Sequence, residues 1–337
     1  MNWYELPNTL KIGSAVEILN VDHSDHDQVE LTGELWQRLE TLVLLLEGDR
    51  AMVDADGRLA LLSTQEIEHS IGEQVAKNRI QLYLGRVFES EGIPDDGISV
   101  AGFEPQTQDA KRVPVLAIML EPSETEKFSI GEWLSLRSVA DTLNPLDAGL
   151  LTRAVALANW HKAHQFSPRT GHRTNEAKGG WVRVDDADGS EHFPRTDPAI
   201  IVAVTDASER LLLASNMAWN ERVFSLIAGF VDPGESLEQA VLREVKEESG
   251  LTVSEPRYLG SQPWPFPASL MLGFSALAKE GESTEPDGVE IRELRWFTRD
   301  ELKSAIISGE ILVPGGGSIS RAIIEAWYGK ELPGQRD

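Results

Sequence analysis

At 337 residues, with a hydrophobic fraction of 41% and no cysteine, the chain is long enough for two compact cores, and disulfides, Cys-ligated zinc, iron–sulfur clusters and thiol nucleophiles are all excluded. Its 55 acidic residues against 31 basic ones leave a formal charge of −24, which repels a long phosphate backbone, so any nucleic-acid contact is expected to be local. No run approaches the ~20 apolar residues of a bilayer span, and Met1-Asn2-Trp3-Tyr4-Glu5 lacks a signal-peptide pattern, so the expectation is a cytoplasmic chain with no membrane partner.

In chain order, residues 57–62 after the turn-prone Asp54-Ala55-Asp56, then 80–87 and 113–120, have the bounded apolar pattern of strands. Residues 1–143 are therefore expected to form a mostly β domain. Between 144 and 166, Leu146, Leu150, Leu151, Ala154, Leu157, Ala158 and Trp160 recur at helical spacing, with Asn144 or Asp147 available as a start, which predicts a connecting amphipathic helix. Residues 167–195 are polar and Gly-rich and read as a loop-rich insert, so 144–194 form a connecting segment. From Ala199 onward, 200–204, 211–213, 223–228, 271–278 and 294–297 read as strands, and 236–249, 299–308 and 318–328 as helices. The loop Pro314-Gly315-Gly316-Gly317 joins the last two helices. Residues 195–330 are thus expected to be a mixed domain, and the chain as a whole α+β. No internal repeat is evident.

The chemistry concentrates between Gly229 and Leu251. Asp232-Pro233-Gly234 is a turn in which Pro fixes φ and Gly accepts a positive φ. Ser236 with Gln239 forms a capping-box pattern, and Gly250 suits the left-handed stop of the same helix. Glu244, Glu247 and Glu248 at i, i+3 and i+4 share one face, opposite a stripe of Leu237, Ala240, Val241 and Val245. Arg243, two turns beyond Glu235, is spaced to bond it. A solvated acidic face explains a Glu-Glu pair, but not its pairing with a Gly-containing loop and Arg243. Carboxylates clustered without His or Cys suit Mg²⁺ or Mn²⁺, ions that bridge phosphate oxygens and activate water, so phosphate chemistry is expected. Farther on, residues 261–271 read as a stiff loop outside any ladder, whose Trp and Phe offer flat faces to a planar ring.

The first of these segments meets every defined position of the Nudix box, G-x5-E-x7-R-E-U-x-E-E-x-G-U with U apolar. The second, Ser261-Gln262-Pro263-Trp264-Pro265-Phe266-Pro267-Ala268-Ser269, resembles the S-Q-P-W-P-F-P-x-S motif of the NADH pyrophosphatase branch of that family, whose members also remove NAD caps from RNA. The resemblance covers residues 137–328 and is strongest over 181–297. It implies a C-terminal Nudix fold, a mixed sheet sandwiched between helices. It also implies hydrolysis of the pyrophosphate of NADH or NAD⁺ to nicotinamide mononucleotide and AMP, with NAD-capped RNA 5′ ends as a second substrate. Carried over residue by residue, Glu244 and Glu248 with the carbonyl of Ala228 would hold Mg²⁺ or Mn²⁺. Glu247 would be a ligand or assist the attacking water, and Glu290 would be the downstream carboxylate. Gln262, Pro263, Trp264, Pro265, Phe266, Pro267, Ala268 and Ser269 would line the nicotinamide nucleotide site. Phe230 and Phe193 would stack on the substrate, Phe193 coming from the partner subunit of a homodimer, and Arg137 and Ser320 would be further substrate contacts. Hydrolysis of ADP-ribose or a dinucleoside polyphosphate is the alternative within the class. A non-catalytic NAD-binding regulator is the alternative outside it, and the intact Glu244, Glu247, Glu248 and Glu290 argue against that.

The departure from the family lies between the two domains, where the family usually carries a zinc ribbon of two C-x-x-C pairs. The four ligand positions here read Ser167, Thr170, Asp185 and Asp188, so no structural zinc is expected. His161, His164, His172 and His192 lie nearby, but ion pairs from Asp185 or Asp188 to Arg169, Arg173 or Lys178 are the plainer replacement.

Overall fold

A computed structural model describes residues 31–88 and 112–334, which fall into two compact units, 31–195 and 196–334. Met1 to Glu5 and residues 89–111 of the expected β-rich domain lie outside the described residues. Among the described residues no helix is long and apolar enough to cross a membrane.

The first unit runs α1 (Leu31–Trp36), β1 (Leu42–Glu47), β2 (Arg50–Val53), β3 (Leu61–Ser63), α2 (Thr64–Ile71), α3 (Glu73–Lys77), β4 (Gln81–Phe88), β5 (Arg112–Met119), α4 (Pro122–Thr125), β6 (Glu132–Ser135), α5 (Leu136–Val139) and α6 (Pro145–Ala163). Its six strands form one sheet in the order β4-β5-β1-β2-β6, with β3 also paired to β1. Only β1 and β5 run parallel; the other pairs are antiparallel. Central β1 is the continuous apolar run Leu42-Val43-Leu44-Leu45-Leu46, buried on both faces. It lacks the alternation by which a half-exposed strand is read. The expected connecting helix is α6, started by Asn144, whose side chain accepts from the Asp147 amide at 3.0 Å. Buried residues from Leu150 to His161 lie on several of its faces, so α6 is embedded in the core rather than amphipathic.

Beyond α6 the chain forms a small three-stranded sheet, β7 (Thr174–Ala177), β8 (Val182–Asp185) and β9 (Glu191–His192). The insert is therefore less loop-rich than its sequence suggests. Its strands are short and carry Thr, Asn, Glu, Arg and Asp, so backbone pairing rather than apolar alternation defines them.

The second unit comprises β10 (Asp197–Thr205), β11 (Leu211–Asn216), β12 (Ile227–Phe230), α7 (Leu237–Ser249), β13 (Val253–Trp264), β14 (Ser269–Ala278), β15 (Ile291–Phe297), α8 (Arg299–Ser308) and α9 (Ile319–Tyr328). The sheet order is β13-β14-β10-β11-β15, with β12 paired to β10. Here too the only parallel pair is the central one, β10 with β14. One apolar cluster packs α8 and α9 against one face of the sheet, and another packs α7 against the other face. This is the expected mixed sheet between helices. The two units thus share one strand plan, a duplication that no sequence repeat discloses.

The motif at 261–269 differs from its expected form. Ser261 to Trp264 are not a free loop but the end of β13, paired with Leu272, Met271, Leu270 and Ser269 of β14. Pro263 is tolerated because β13 is the edge strand, where a missing N–H breaks no inner ladder. Only residues 265–268 form the connecting turn.

Candidate active site

Helix α7 is built as its sequence requires. Ser236 caps it, with the Ser236 and Gln239 bonds of the capping box both present, and Gly250 ends it at φ 72°. Ala240, Val241 and Val245 anchor it to the sheet, with Leu237 partly buried beside them. That anchoring turns Glu244 and Glu248 inward and leaves Glu247 exposed.

Arg243 organises the loop before the helix. Its Nε and Nη2 donate to Glu235 at 2.9 and 2.8 Å, and Nη2 also donates to the Phe230 carbonyl at 2.9 Å. Its Nη1 lies 2.8 Å from Glu244 Oε1 and 3.1 Å from Glu247 Oε2. The bidentate bond to Glu235, reinforced by Glu244 and Glu247, raises the guanidinium pKa further above its ordinary value. One cation therefore holds the two ends of the motif together.

Glu248 carries the strongest electrostatic signature. It is only 6% exposed. Burial, followed by the charges of Glu244, Glu290, Asp287 and Glu247, pushes its carboxyl up to about 8. Burial likewise raises Glu244, where Arg243 pulls the other way. Among the described residues no three His, Asp or Glu side chains stand in metal-ligand geometry. Glu244 and Glu247 are held by Arg243 instead. The donor set nevertheless fits a hard divalent cation. Its side-chain atoms are carboxylate oxygens, and the negative potential that the neighbouring carboxylates impose on Glu248 is what such a cation would compensate.

Gly229 makes room for that cluster. A Cβ at this position would lie 2.1 Å from Cδ of Glu244. Gly229→Ala is therefore expected to displace the Glu244 carboxylate and lower turnover at least tenfold, with little change in melting temperature because the clash falls on a flexible side-chain end. Equal losses of activity and stability would instead locate the strain in the backbone. Beside Gly229, the carbonyl-bearing Ala228 is fixed by pairing with Ile201 of β10, and Phe230 extends outward with 55% of its surface exposed.

Two contributors near Glu290 were not foreseen. Asp287 Oδ1 accepts from the amides of Val289, Glu290 and Ile291 at 3.1, 3.1 and 2.8 Å, fixing the turn that carries Glu290. Burial pushes Asp287 up, but these amides together hold it below its usual range. The Asp-Gly pair before Val289 was the available signal. Arg292 donates to the carbonyls of Asn216 and Met217 at 3.1 and 2.9 Å. The Met217 amide in turn donates to the Glu290 carbonyl at 2.7 Å.

The remaining expected residues divide. Gln262 is buried, its Nε2 donating to the Gly317 carbonyl at 2.8 Å and its Oε1 accepting from the Ile319 amide at 2.7 Å. Its amide thus fastens the Gly-rich loop and the start of α9 to the edge strand. Trp264 and Phe266 meet edge to face at 5.2 Å across the turn, Pro267 is exposed, and Pro265 and Ser269 are buried. Ser320 is buried and shares a 2.8 Å hydrogen bond with Ser225. Arg137 and Phe193 belong to the first unit, both exposed.

The four ribbon positions, also in the first unit, form a hydrogen-bonded knot. Thr170 Oγ1 donates to Asp185 Oδ2 at 2.6 Å, and the amides of Arg169 and Thr170 approach Ser167 Oγ at 3.3 and 3.4 Å. The Thr170 hydroxyl is the main reason that Asp185 is lowered to about 2. Asp188 pairs with Arg169, as expected, whereas Lys178 pairs with Glu191 and Arg173 lies over the Phe166 ring at 5.7 Å. His161 is fully buried, its Nε2 at 2.8 Å from the Gly180 carbonyl and its Nδ1 at 2.8 Å from Arg183 Nη1. The carbonyl requires the proton on Nε2, and the guanidinium requires a lone pair on Nδ1. Hydroxyls and carboxylates without a thiolate do not make a ribbon zinc site.

Residues 194–312 match the NUDIX domain model, and residues 40–160 match that of the NADH pyrophosphatase-like rudimentary NUDIX domain. Among curated relatives, a protein of Mycobacterium bovis (strain BCG / Pasteur 1173P2) named NAD-capped RNA hydrolase NudC is 42% identical over 262 residues, covering 75% of this chain and 83% of its own. The chain belongs to the Nudix hydrolase family. A Stutzerimonas stutzeri protein of the same name is 38% identical over 59% of this chain and 69% of its own. The Macaca fascicularis NAD-capped RNA hydrolase NUDT12 is 30% identical over 87% of this chain and 66% of its own. The rudimentary match falls on the first unit and accounts for the shared strand plan of this Nudix hydrolase.

Proposed function

We propose that this Nudix hydrolase splits the pyrophosphate of NADH or NAD⁺ into nicotinamide mononucleotide and AMP, and removes NAD caps from RNA 5′ ends. The observation that carries this reading is the buried Glu248 carboxylate facing Glu244, Glu247, Asp287 and Glu290, in a chain similar to proteins named for NAD-cap hydrolysis. Glu244, Glu247, Glu248 and Glu290, with the Ala228 carbonyl, would hold Mg²⁺ or Mn²⁺. When bound, such an ion polarises a phosphoryl oxygen and lowers the pKa of water. The chain's own contribution is placement. Gly229 leaves space for Glu244, Arg243 fixes the loop from Phe230 to Glu235, and Asp287 orients the turn bearing Glu290. Phe230 offers a stacking face, and Gln262 steadies the strand leading to the Trp264 and Phe266 turn. A homodimer in the cytoplasm completes the proposal, with the exposed Phe193 of each copy serving its partner's site.

Matched kcat/KM values for NADH, NAD-capped RNA and ADP-ribose test the reading. NADH or capped RNA is expected to exceed ADP-ribose at least tenfold. Faster ADP-ribose cleavage would favour the alternative hydrolase, and NAD binding without turnover would favour a regulator. Phe230→Ala is expected to raise KM for NADH by about tenfold, since base stacking on an aromatic contributes roughly 1–3 kcal/mol. An unchanged KM would put the ring elsewhere.

The ribbon segment is proposed to hold its shape without zinc through the Thr170, Asp185, Arg169 and Asp188 contacts. Elemental analysis of the purified protein should find no stoichiometric zinc, and EDTA should leave the unfolding temperature nearly unchanged while stopping hydrolysis. One tightly held zinc per chain, with a large loss of stability on its removal, would overturn this.

A further inference from the structure

Strand β15 is irregular where it begins against β11. Leu211 to Ser215 pair in step with Phe297 to Glu293, but Asn216 pairs with Ile291, so Arg292 is an extra residue bulged out of the ladder. The bulge reverses the alternation of side chains. Leu294 and Trp296 pack against the apolar cluster under α7, while Phe297 belongs to the cluster on the other face of the sheet. An unbroken strand would turn Ile291 to the face of Phe297. With the bulge, Ile291 is instead buried in the α7 cluster. Glu290, the residue before it, is therefore anchored on the side of the sheet that carries Glu244 and Glu248.

The bulged residue reaches back to β11 and the loop that follows it. Arg292 Nη1 donates to Ser215 Oγ at 3.3 Å and to the Asn216 carbonyl at 3.1 Å, and Nη2 donates to the carbonyls of Met217 and Trp219 at 2.9 and 3.4 Å. These four acceptors are neutral, in a chain whose 55 acidic residues would make an ion pair the ordinary fate of a half-buried arginine. The loop held in this way returns a bond to Glu290. The Met217 amide donates to the Glu290 carbonyl at 2.7 Å, while the Glu290 amide donates to Asp287 Oδ1 at 3.1 Å. Glu290 is thus fixed through both its N–H and its C=O, and its charge acts on Glu248. Carboxylates gathered without a cation repel one another, so this frame has to hold Glu290 against that repulsion. We propose that Arg292 is a positioning residue that, through the bulge and the Met217 loop, holds Glu290 ready for a divalent cation. The inference rests on the proposed role of Glu290 as a metal-holding carboxylate.

Calorimetric titration of Mn²⁺ into the full chain, without substrate, provides the test. Arg292→Gln is expected to weaken Mn²⁺ binding about tenfold, the scale of loss seen when groups that orient metal ligands are removed. The sign is diagnostic. Removing a positive charge beside a cation site would by electrostatics alone tighten binding, so a loss reports positioning. Arg292→Lys keeps the charge but not the planar fork that serves four acceptors. It is expected to weaken binding as well, and unchanged affinity in this variant would overturn the inference. Glu248→Gln identifies the cleft as the place where Mn²⁺ binds. If Glu248→Gln weakens binding while Arg292→Gln binds as tightly as the wild type or tighter, the inference falls and the hydrolase reading stands. If the wild type and Glu248→Gln bind Mn²⁺ alike, the cation is not in this cleft and both fall.

Discussion

Replacing Glu248 with Gln is expected to reduce kcat at saturating Mg²⁺ by roughly a hundredfold or more while making the metal-free protein harder to unfold at alkaline pH. Gln keeps the shape that fits among the buried residues of α7 but removes the charge. On the proposed reading activity falls because a carboxylate that would hold the metal becomes a weak neutral donor. Stability rises because the wild-type carboxyl, pushed up to about 8 by burial and its acidic neighbours, favours the folded state only while it is protonated. That contribution is complete below the unfolded carboxyl pKa near 4.5 and is lost as pH rises through about 8. Thermal unfolding in EDTA near pH 9, set beside steady-state rates, therefore gives two effects of opposite sign. A variant that keeps more than about a third of wild-type kcat, or is less stable than wild type in EDTA, would assign Glu248 a structural role.

The second large effect is an acid transition seated at the C-terminal end of α6. His161 is lowered to about 4, chiefly by burial, with Arg183 adding repulsion against the bond to the Gly180 carbonyl. Unfolding returns the imidazole to about 6.5, so between these values the unfolded chain binds the extra proton. The stabilisation is present above about pH 6.5 and lost as pH falls toward 4, amounting to a few kcal/mol at roughly 1.4 kcal/mol per pKa unit. His161→Gln supplies the control. A Gln side chain can donate to the Gly180 carbonyl and accept from Arg183 without titrating. Urea unfolding at pH 7.5 and pH 5 should show a much flatter pH dependence in the variant. Equal slopes in the two proteins would remove His161 as the cause.

The sequence made the site legible where local rules act within one element. Ser236, Gln239 and Gly250 set the limits of α7 through capping chemistry. The spacing of Glu235 and Arg243 anticipated a bond that the structure contains. What escaped depends on partners distant in sequence. Pro263 argued against a strand because nothing local reveals that β13 is an edge. The bracing role of Gln262 was hidden because its bonds to Gly317 and Ile319 join segments far along the chain. Asp287 was passed over because its importance lies in three amides that follow it rather than in its own exposure. The strand plan of the first unit was hidden for a related reason. Topology can persist in the order and direction of strands after the residues that once made a motif have changed.

That plan also bears on how the molecule assembles in time. In each unit the central parallel pair, Leu42 with Val115 and Asp197 with Ser269, joins residues about 70 positions apart. Closing a loop of that length costs roughly 4 kcal/mol of chain entropy before the pairing returns anything. Both units therefore face the same late, non-local step, and folding in each is expected to be slow beside that of a helical bundle of equal size. The barrier is the same in the unit that lacks the acidic helix face, because it belongs to the connectivity of the strands and not to the side chains mounted on them.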